Sequence, residues 1–210
     1  MSNLITPDSL DALIAEGAQV RLIDVRWRLD QPDGRADYLQ AHIPGAVYVD
    51  LDTELAQHGA AAEGRHPLPS HATLQAAARR WGVNDGDIVV AYDDAGSVAA
   101  ARAWWLLRRT GVDVRVLDGG LGFWTATGRP VQSGEGVMPE GDVTLIESLA
   151  GELSIDEAAA LPARGVLLSA YVMSAVLGGI GGALIAMTSR HVTPLLAYWT
   201  SSGELVFIAI

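Results

Sequence analysis

One run of the sequence has residue types and spacing suited to a chemical site: Asp93-Asp94-Ala95-Gly96-Ser97. It falls between a continuous apolar stretch, Ile88 to Tyr92, and a strongly helical one, Ser97 to Arg109. In alternating strand-helix folds, ligands sit at the carboxyl ends of strands, where the next helix begins. Such a loop offers free backbone N–H groups and the positive end of the helix dipole. Here two adjacent carboxylates stand in it. They would repel an anionic substrate, and their bland role is to cap the helix by accepting from its free N–H groups. Asp93, Asp94, Gly96 and Ser97, with His42, are the candidate binding residues.

The other chemistry-bearing residues give less. There is no cysteine, which excludes disulfides, thiolate metal sites and a cysteine nucleophile within these 210 residues. The five histidines are scattered, and none pairs with an acid at ligand spacing, so no metal site is expected. Gly178 to Gly182 lies inside an apolar run rather than after a strand, so it is no phosphate loop, and no cofactor is expected. His42 either lines a cleft or bonds to backbone and fixes the turn at Pro44. Asp24 and Arg26 read as structural residues that pair with neighbouring loops, and His66 before Pro67 as a residue that orders a loop. Trp104 and Trp105 read as core or interface, and Asp118-Gly119-Gly120 as a turn after a strand.

These residues need a scaffold, and the sequence describes one. Half the chain is hydrophobic and 19% is charged, as in globular proteins. The net charge is -11 and all 14 basic residues are arginine, a balance that makes nucleic acid a poor partner. Met1 to Gln19 has no basic stretch followed by an apolar run, so no secretory signal is expected there. Thr6-Pro7-Asp8 opens a helix with Leu10, Leu13 and Ile14 on one face. Val20 to Val25 predicts a buried strand, Asp37 to Gln40 a short helix, and Ala46 to Val49 a second strand. Ser70 caps a helix that carries Leu74, Ala77, Ala78 and Trp81 and stops at Gly82. Ile88 to Tyr92 and Val114 to Leu117 predict further strands, Ser97 to Arg109 a long helix, and Leu121 to Thr127 a short one. This alternation predicts an α/β fold, a mostly parallel sheet with helices on both faces.

Several phrases, in order, resemble the amino-terminal domain of two-domain rhodanese-family sulfurtransferases, those acting on thiosulfate or 3-mercaptopyruvate. They are Leu22-Ile23-Asp24-Val25-Arg26, His42-Ile43-Pro44-Gly45-Ala46, Asp50-Leu51-Asp52, His66-Pro67-Leu68-Pro69, Tyr92-Asp93-Asp94-Ala95-Gly96, Trp104-Trp105-Leu106-Leu107 and Leu117-Asp118-Gly119-Gly120. The resemblance implies two rhodanese domains in tandem, with the catalytic cysteine in the second, in a strand-to-helix loop. Its thiolate takes sulfane sulfur from a donor and passes it to a thiophilic acceptor such as cyanide. In the first domain Asp93 would stand at that cysteine's position, and a carboxylate cannot form a persulfide. No catalytic residue is therefore expected in this chain. A small sulfur-donor substrate is expected only where a catalytic domain is supplied.

The resemblance predicts residues 1–145 as a rhodanese-like domain of the non-catalytic type. Residues 146–168 would form a linker and the start of a truncated second rhodanese domain, through Leu153 to Ala158 and Gly165 to Leu168. Residues 169–210 would form a hydrophobic, helical tail. From Gly165 onward the only charged side chains are Arg190 and Glu204. The uncharged run 165–187 is long enough as a helix to cross a bilayer, or else Val172 to Met187 is a buried helix. Ala170 to Leu184 and Tyr198 to Glu204 resemble a fragment of a branched-chain amino acid transporter permease, too little for a transport path. Two resemblances meeting in mid-strand predict a junction of two genes near Ser169. The expected placement is a cytoplasmic rhodanese domain with membrane association through 165–187. The alternative function is a membrane-tethered interaction module without turnover.

Overall fold

A computed structural model of the chain describes residues 2–57, 59–60, 63–147, and beyond them only 165, 168, 172–174 and 176. The chain divides into two compact units, Met1–Ala150 and Gly151–Ile210. Among the described residues no helix is long and apolar enough to cross a membrane. The permease resemblance, the span at 165–187 and the junction near Ser169 lie outside the described residues, apart from the six just named. The fold below is that of the first unit.

Its strands are β1 (Leu4–Ile5), β2 (Val20–Asp24), β3 (Val47–Tyr48), β4 (Ile88–Tyr92) and β5 (Asp113–Leu117). They form one sheet in the order β1-β5-β4-β2-β3, every neighbouring pair parallel. The helices are α1 (Pro7–Ala15), α2 (Arg35–Gln40), α3 (Leu51–Glu54), α4 (His71–Arg80), α5 (Val98–Arg109) and α6 (Gly120–Ala126).

The central strand shows why both faces need covering. Side chains alternate across a strand. Val89 and Ala91 of β4 accordingly join a core with Leu74, Ala77 and Trp81 from the α4 side and Ala99, Ala103 and Leu107 of α5. Val90 and Tyr92 join a second core with Leu10 of α1 and Leu121 and Trp124 of α6. A strand buried on both sides reads as an unbroken apolar run, as Ile88 to Tyr92 does.

Local signals start and stop the helices as expected. The Thr6 side chain accepts from Ser9 N, with Pro7 opening α1, and the Ser70 side chain accepts from Thr73 N at the start of α4. Gly82, at φ +77, follows the end of α4, where a side chain would be strained. Four details differ from the sequence expectation. Ile14 is half exposed rather than inward, since α1 buries Leu10 and leaves its outer edge in water. β1 and α3 are short elements with too few residues to show a period. α5 begins at Val98, one residue later than expected, because Ser97 takes a left-handed conformation. β3 is only two residues long, because its ladder with β2 covers Val47 and Tyr48 alone.

Candidate functional site

The loop after β4 is built around one buried carboxylate. Asp93 is 1% exposed. Its Oδ1 accepts from the backbone N–H of Ala95 at 3.0 Å and of Ser97 at 2.8 Å. Its Oδ2 accepts from Ala99 N at 2.9 Å and Ala100 N at 3.0 Å. Ala99 and Ala100 lie in the first turn of α5, where N–H groups have no helical partner. The Ser97 side chain makes no capping bond, so the cap comes from four residues upstream. Gly96 (φ +76) and Ser97 (φ +68) are both left-handed, which curls the backbone so that successive N–H groups converge on one anion.

The neighbouring turn closes over this loop. Asp93 O accepts from Leu121 N at 2.9 Å. Gly120 sits at φ +54, and a Cβ there would come 2.5 Å from Asp93 O. Glycine in the Asp118-Gly119-Gly120 phrase thus serves close approach as well as turning.

Asp94 points elsewhere. Its Oδ2 meets Arg28 Nη1 at 3.2 Å, and the same guanidinium reaches Asp37 Oδ2 at 2.9 Å and Gln31 Oε1 at 3.2 Å. With Arg26, Trp27 and Gly34, these residues line a shallow cleft beside the Asp93 loop. Below it lies the buried pair Asp24–Arg26, joined by contacts of 2.8 to 3.2 Å. Gly34 lets Arg26 pass, since a Cβ there would meet Arg26 Cβ at 2.4 Å. Burial pushes the Asp24 carboxyl above its ordinary value, and the bonds from Arg26 offset this only in part. Burial also pulls Arg26 down, but hydrogen bonding to Asp24 leaves it above its ordinary value. Tyr92, at the end of β4, accepts from Ile43 N at 3.0 Å, and burial holds its phenol well above the ordinary range.

His42 is fully buried and takes no part in this cleft. Its ring stacks on Tyr38 at 4.1 Å between centroids, and Nδ1 lies 2.9 Å from Tyr38 O. A carbonyl only accepts, so Nδ1 carries a proton. Its backbone exchanges hydrogen bonds with Gln132. Of the two readings of His42, the backbone-bonded one matches its surroundings. His66 lies 3.3 Å from Asp52 and edge-on to Trp27. Among the described residues, no three histidine, aspartate or glutamate side chains group together as a metal site.

The loop brings Asp93, Gly96 and Ser97 together, sets Asp94 at its rim with Arg28, and leaves His42 apart. Arg28 and Gly34 were missed by sequence reasoning. Nothing local marks Arg28 as a partner of the loop, since Asp94 lies 66 positions away although Gln31 and Asp37 are near in the chain, whereas Gly34 could have been found as a glycine ahead of a helix.

Comparison with known proteins agrees with this architecture. The profile of the Rhodanese-like domain family matches residues 6–127. The chain is 50% identical over 145 residues to a putative thiosulfate sulfurtransferase, SseB, of Mycobacterium tuberculosis, covering 68% of this chain and 51% of that protein. It is 39% identical over 145 residues to a probable 3-mercaptopyruvate sulfurtransferase of Pseudomonas aeruginosa, covering 67% and 51%. The chain thus spans about half the length of these curated relatives. Among solved structures, the Escherichia coli protein SseA, described as a 3-mercaptopyruvate sulfotransferase, superposes with a TM-score of 0.68 at 28% identity, covering 79% of this chain and 64% of that one. On the family match and the parallel sheet together, the chain belongs to the rhodanese-like family.

Proposed function

We propose that the first unit is the non-catalytic rhodanese-like domain of a sulfurtransferase-type protein, and that this chain alone turns over no sulfur donor. The observation that carries this reading is the Asp93 carboxylate seated on four backbone N–H groups. A rhodanese cysteine in this loop would use those same donors and the helix dipole to hold anionic sulfur. Asp93 fills the place with an oxygen anion that neither accepts nor releases sulfur. The 210 residues contain no thiol to take its part elsewhere. Relatives named for thiosulfate and for 3-mercaptopyruvate support the donor class, small sulfur-bearing anions. Such a donor would meet this domain only beside a catalytic one.

The test incubates the purified chain with thiosulfate or 3-mercaptopyruvate plus cyanide and follows thiocyanate. No formation above a heat-killed control is expected. Turnover above that control, in protein free of contaminating sulfurtransferase, would overturn the reading.

A further inference from the structure

Past α6, up to residue 147, the first unit has no further helix or strand. Gly141-Asp142-Val143-Thr144-Leu145-Ile146 nevertheless alternates as a strand does. Val143 and Leu145 are buried, while Asp142, Thr144 and Ile146 are exposed. The two buried side chains belong to the core that holds Leu74, Ala77 and Trp81 with Ala103 and Leu107.

No strand lies beside this segment among the described residues, yet each N–H group from 141 to 146 has an acceptor. Gly141 N donates to Arg79 O at 2.8 Å, Val143 N to Val83 O at 3.1 Å, and Ile146 N to Thr110 O at 3.1 Å. Side chains accept from the rest. Asn84 Oδ1 lies 3.2 Å from Asp142 N, Asp85 Oδ1 2.9 Å from Thr144 N, and Gln75 Oε1 2.8 Å from Leu145 N. The Gln75 amide also donates from Nε2 to Val143 O at 2.6 Å. One side chain thus serves residues 143 and 145 as a neighbouring strand's backbone would. Arg79 Nε donates to the same carbonyl at 3.0 Å. Gly141 permits the approach, since a Cβ there would come 2.0 Å from Val83 O.

Thr110 is the carboxyl cap of α5, and the N–H groups at the other end of that helix are held by Asp93. The helix is therefore fixed at its start by Asp93 and at its end by Ile146.

We propose that residues 141–146 are a strap that locks α4 and α5 together, with Gln75 as its clasp, and that it comes free only when the whole domain unfolds. The cooperative unit that presents the Asp93 loop then runs to Ile146, beyond the residues 6–127 that match the family profile. Releasing the strap would bare two aliphatic side chains and break a continuous row of hydrogen bonds. Together these losses are comparable with the stability of a whole domain. A segment held by a few exposed bonds opens by itself at far smaller cost.

Native-state hydrogen exchange of the full chain reads the strap directly, with mass spectrometry of fragments covering 141–146 and β4. Amides exposed by one opening exchange with one open population. In the wild type, the Val143 and Leu145 amides are expected to be protected to the same degree as those of β4 and to share their urea dependence. Gln75→Ala is expected to speed both sets together by about tenfold or more, as two hydrogen bonds are lost. Gln75→Glu keeps the acceptor for Leu145 N and loses the donor to Val143 O. It is expected to lie between, and it decides by the same comparison if Gln75→Ala does not fold. Val137→Ser, at an exposed side chain ahead of the strap, should change neither set. Strap amides that exchange ahead of β4 in the wild type would overturn the proposal, as would a Gln75 variant in which the strap quickens and β4 does not.

Discussion

Arg26 lies two residues beyond Asp24 and folds back on it, with Nε at 3.0 and 3.2 Å from the two carboxylate oxygens and Nη2 at 2.8 Å. Both side chains are almost wholly out of water. Taking two charges from water is costly, and each partner offsets part of the other's penalty. Arg26 also donates to Ala41 O, which ties the end of β2 to the segment leading into β3.

Removing one partner should therefore be worse than removing both. Arg26→Met is expected to destabilise the chain by about 3–5 kcal/mol, the range for an orphaned buried charge. The double variant Asp24→Leu, Arg26→Met should be less destabilised than the sum of the two single changes. Urea titrations of the four proteins measure this. Strict additivity would show that the two charges stabilise the fold independently.

Three fully or partly buried phenols set the behaviour in alkali. Burial raises the pKa of Tyr38, Tyr48 and Tyr92, most strongly among the causes at each. The folded chain thus holds these protons more tightly than the unfolded chain, whose tyrosines titrate near the ordinary value of about 10. Their contribution is fully present below that value and is lost as pH rises through the folded values. Stability should fall steeply above about pH 10. Tyrosinate absorbance from these three phenols should appear together with unfolding rather than before it. Tyr92→Phe should flatten the slope, though it loses the bond from Ile43 N. Free titration of the buried phenols in a folded chain would contradict this account.

Gly120 and Gly122, two residues apart in α6, should respond oppositely to alanine. At Gly120 the Cβ would come 2.5 Å from Asp93 O, a backbone atom that cannot swing away, and φ is +54. At Gly122 nothing lies within 4 Å of the added carbon. Gly120→Ala is expected to cost about 2 kcal/mol or more, from left-handed strain plus the clash. Gly122→Ala should be neutral or stabilising by up to about 1 kcal/mol, the usual gain of alanine over glycine within a helix. Thermal unfolding of both variants checks the order, and equal effects would mean the turn yields without resistance.

How far the sequence could be read follows from these contacts. β4 was legible because a strand covered on both faces must be apolar throughout, and α4 because Ser70 and Gly82 mark its ends chemically. Leu4–Ile5 was not, since two residues make a strand only because β5 lies beside them. The Asp93 loop was legible as a helix-capping loop from its place between strand and helix. Its neighbours were less so. Arg28 meets Asp94 across 66 positions, and no local pattern announces such a meeting. His42 was open between two surroundings because burial of a lone histidine depends on Tyr38 and Gln132 coming together around it.

The loop itself can be examined by changing what it holds. Asp93→Ala leaves four N–H groups without their acceptor, and a loss of about 2–3 kcal/mol is expected, as for bonds to a charged group. Asp93→Cys puts a thiol in the same position, and because the chain has no cysteine it is the only one present. The N–H groups and the dipole of α5 favour the thiolate, so its pKa should fall at least about one unit below the ordinary 8.5. With a folded value below the unfolded one, the thiolate's stabilisation is present above about pH 8.5 and is lost as pH falls through the folded value. The pH dependence of iodoacetamide alkylation gives that value directly. An inflection at or above about 8.5 would mean that the N–H groups do not reach the sulfur, and that Asp93 holds the loop in a shape a thiol cannot. An inflection well below it would mean that the backbone is suited to anionic sulfur, and that the side chain at position 93 is what keeps a sulfur anion out of this loop.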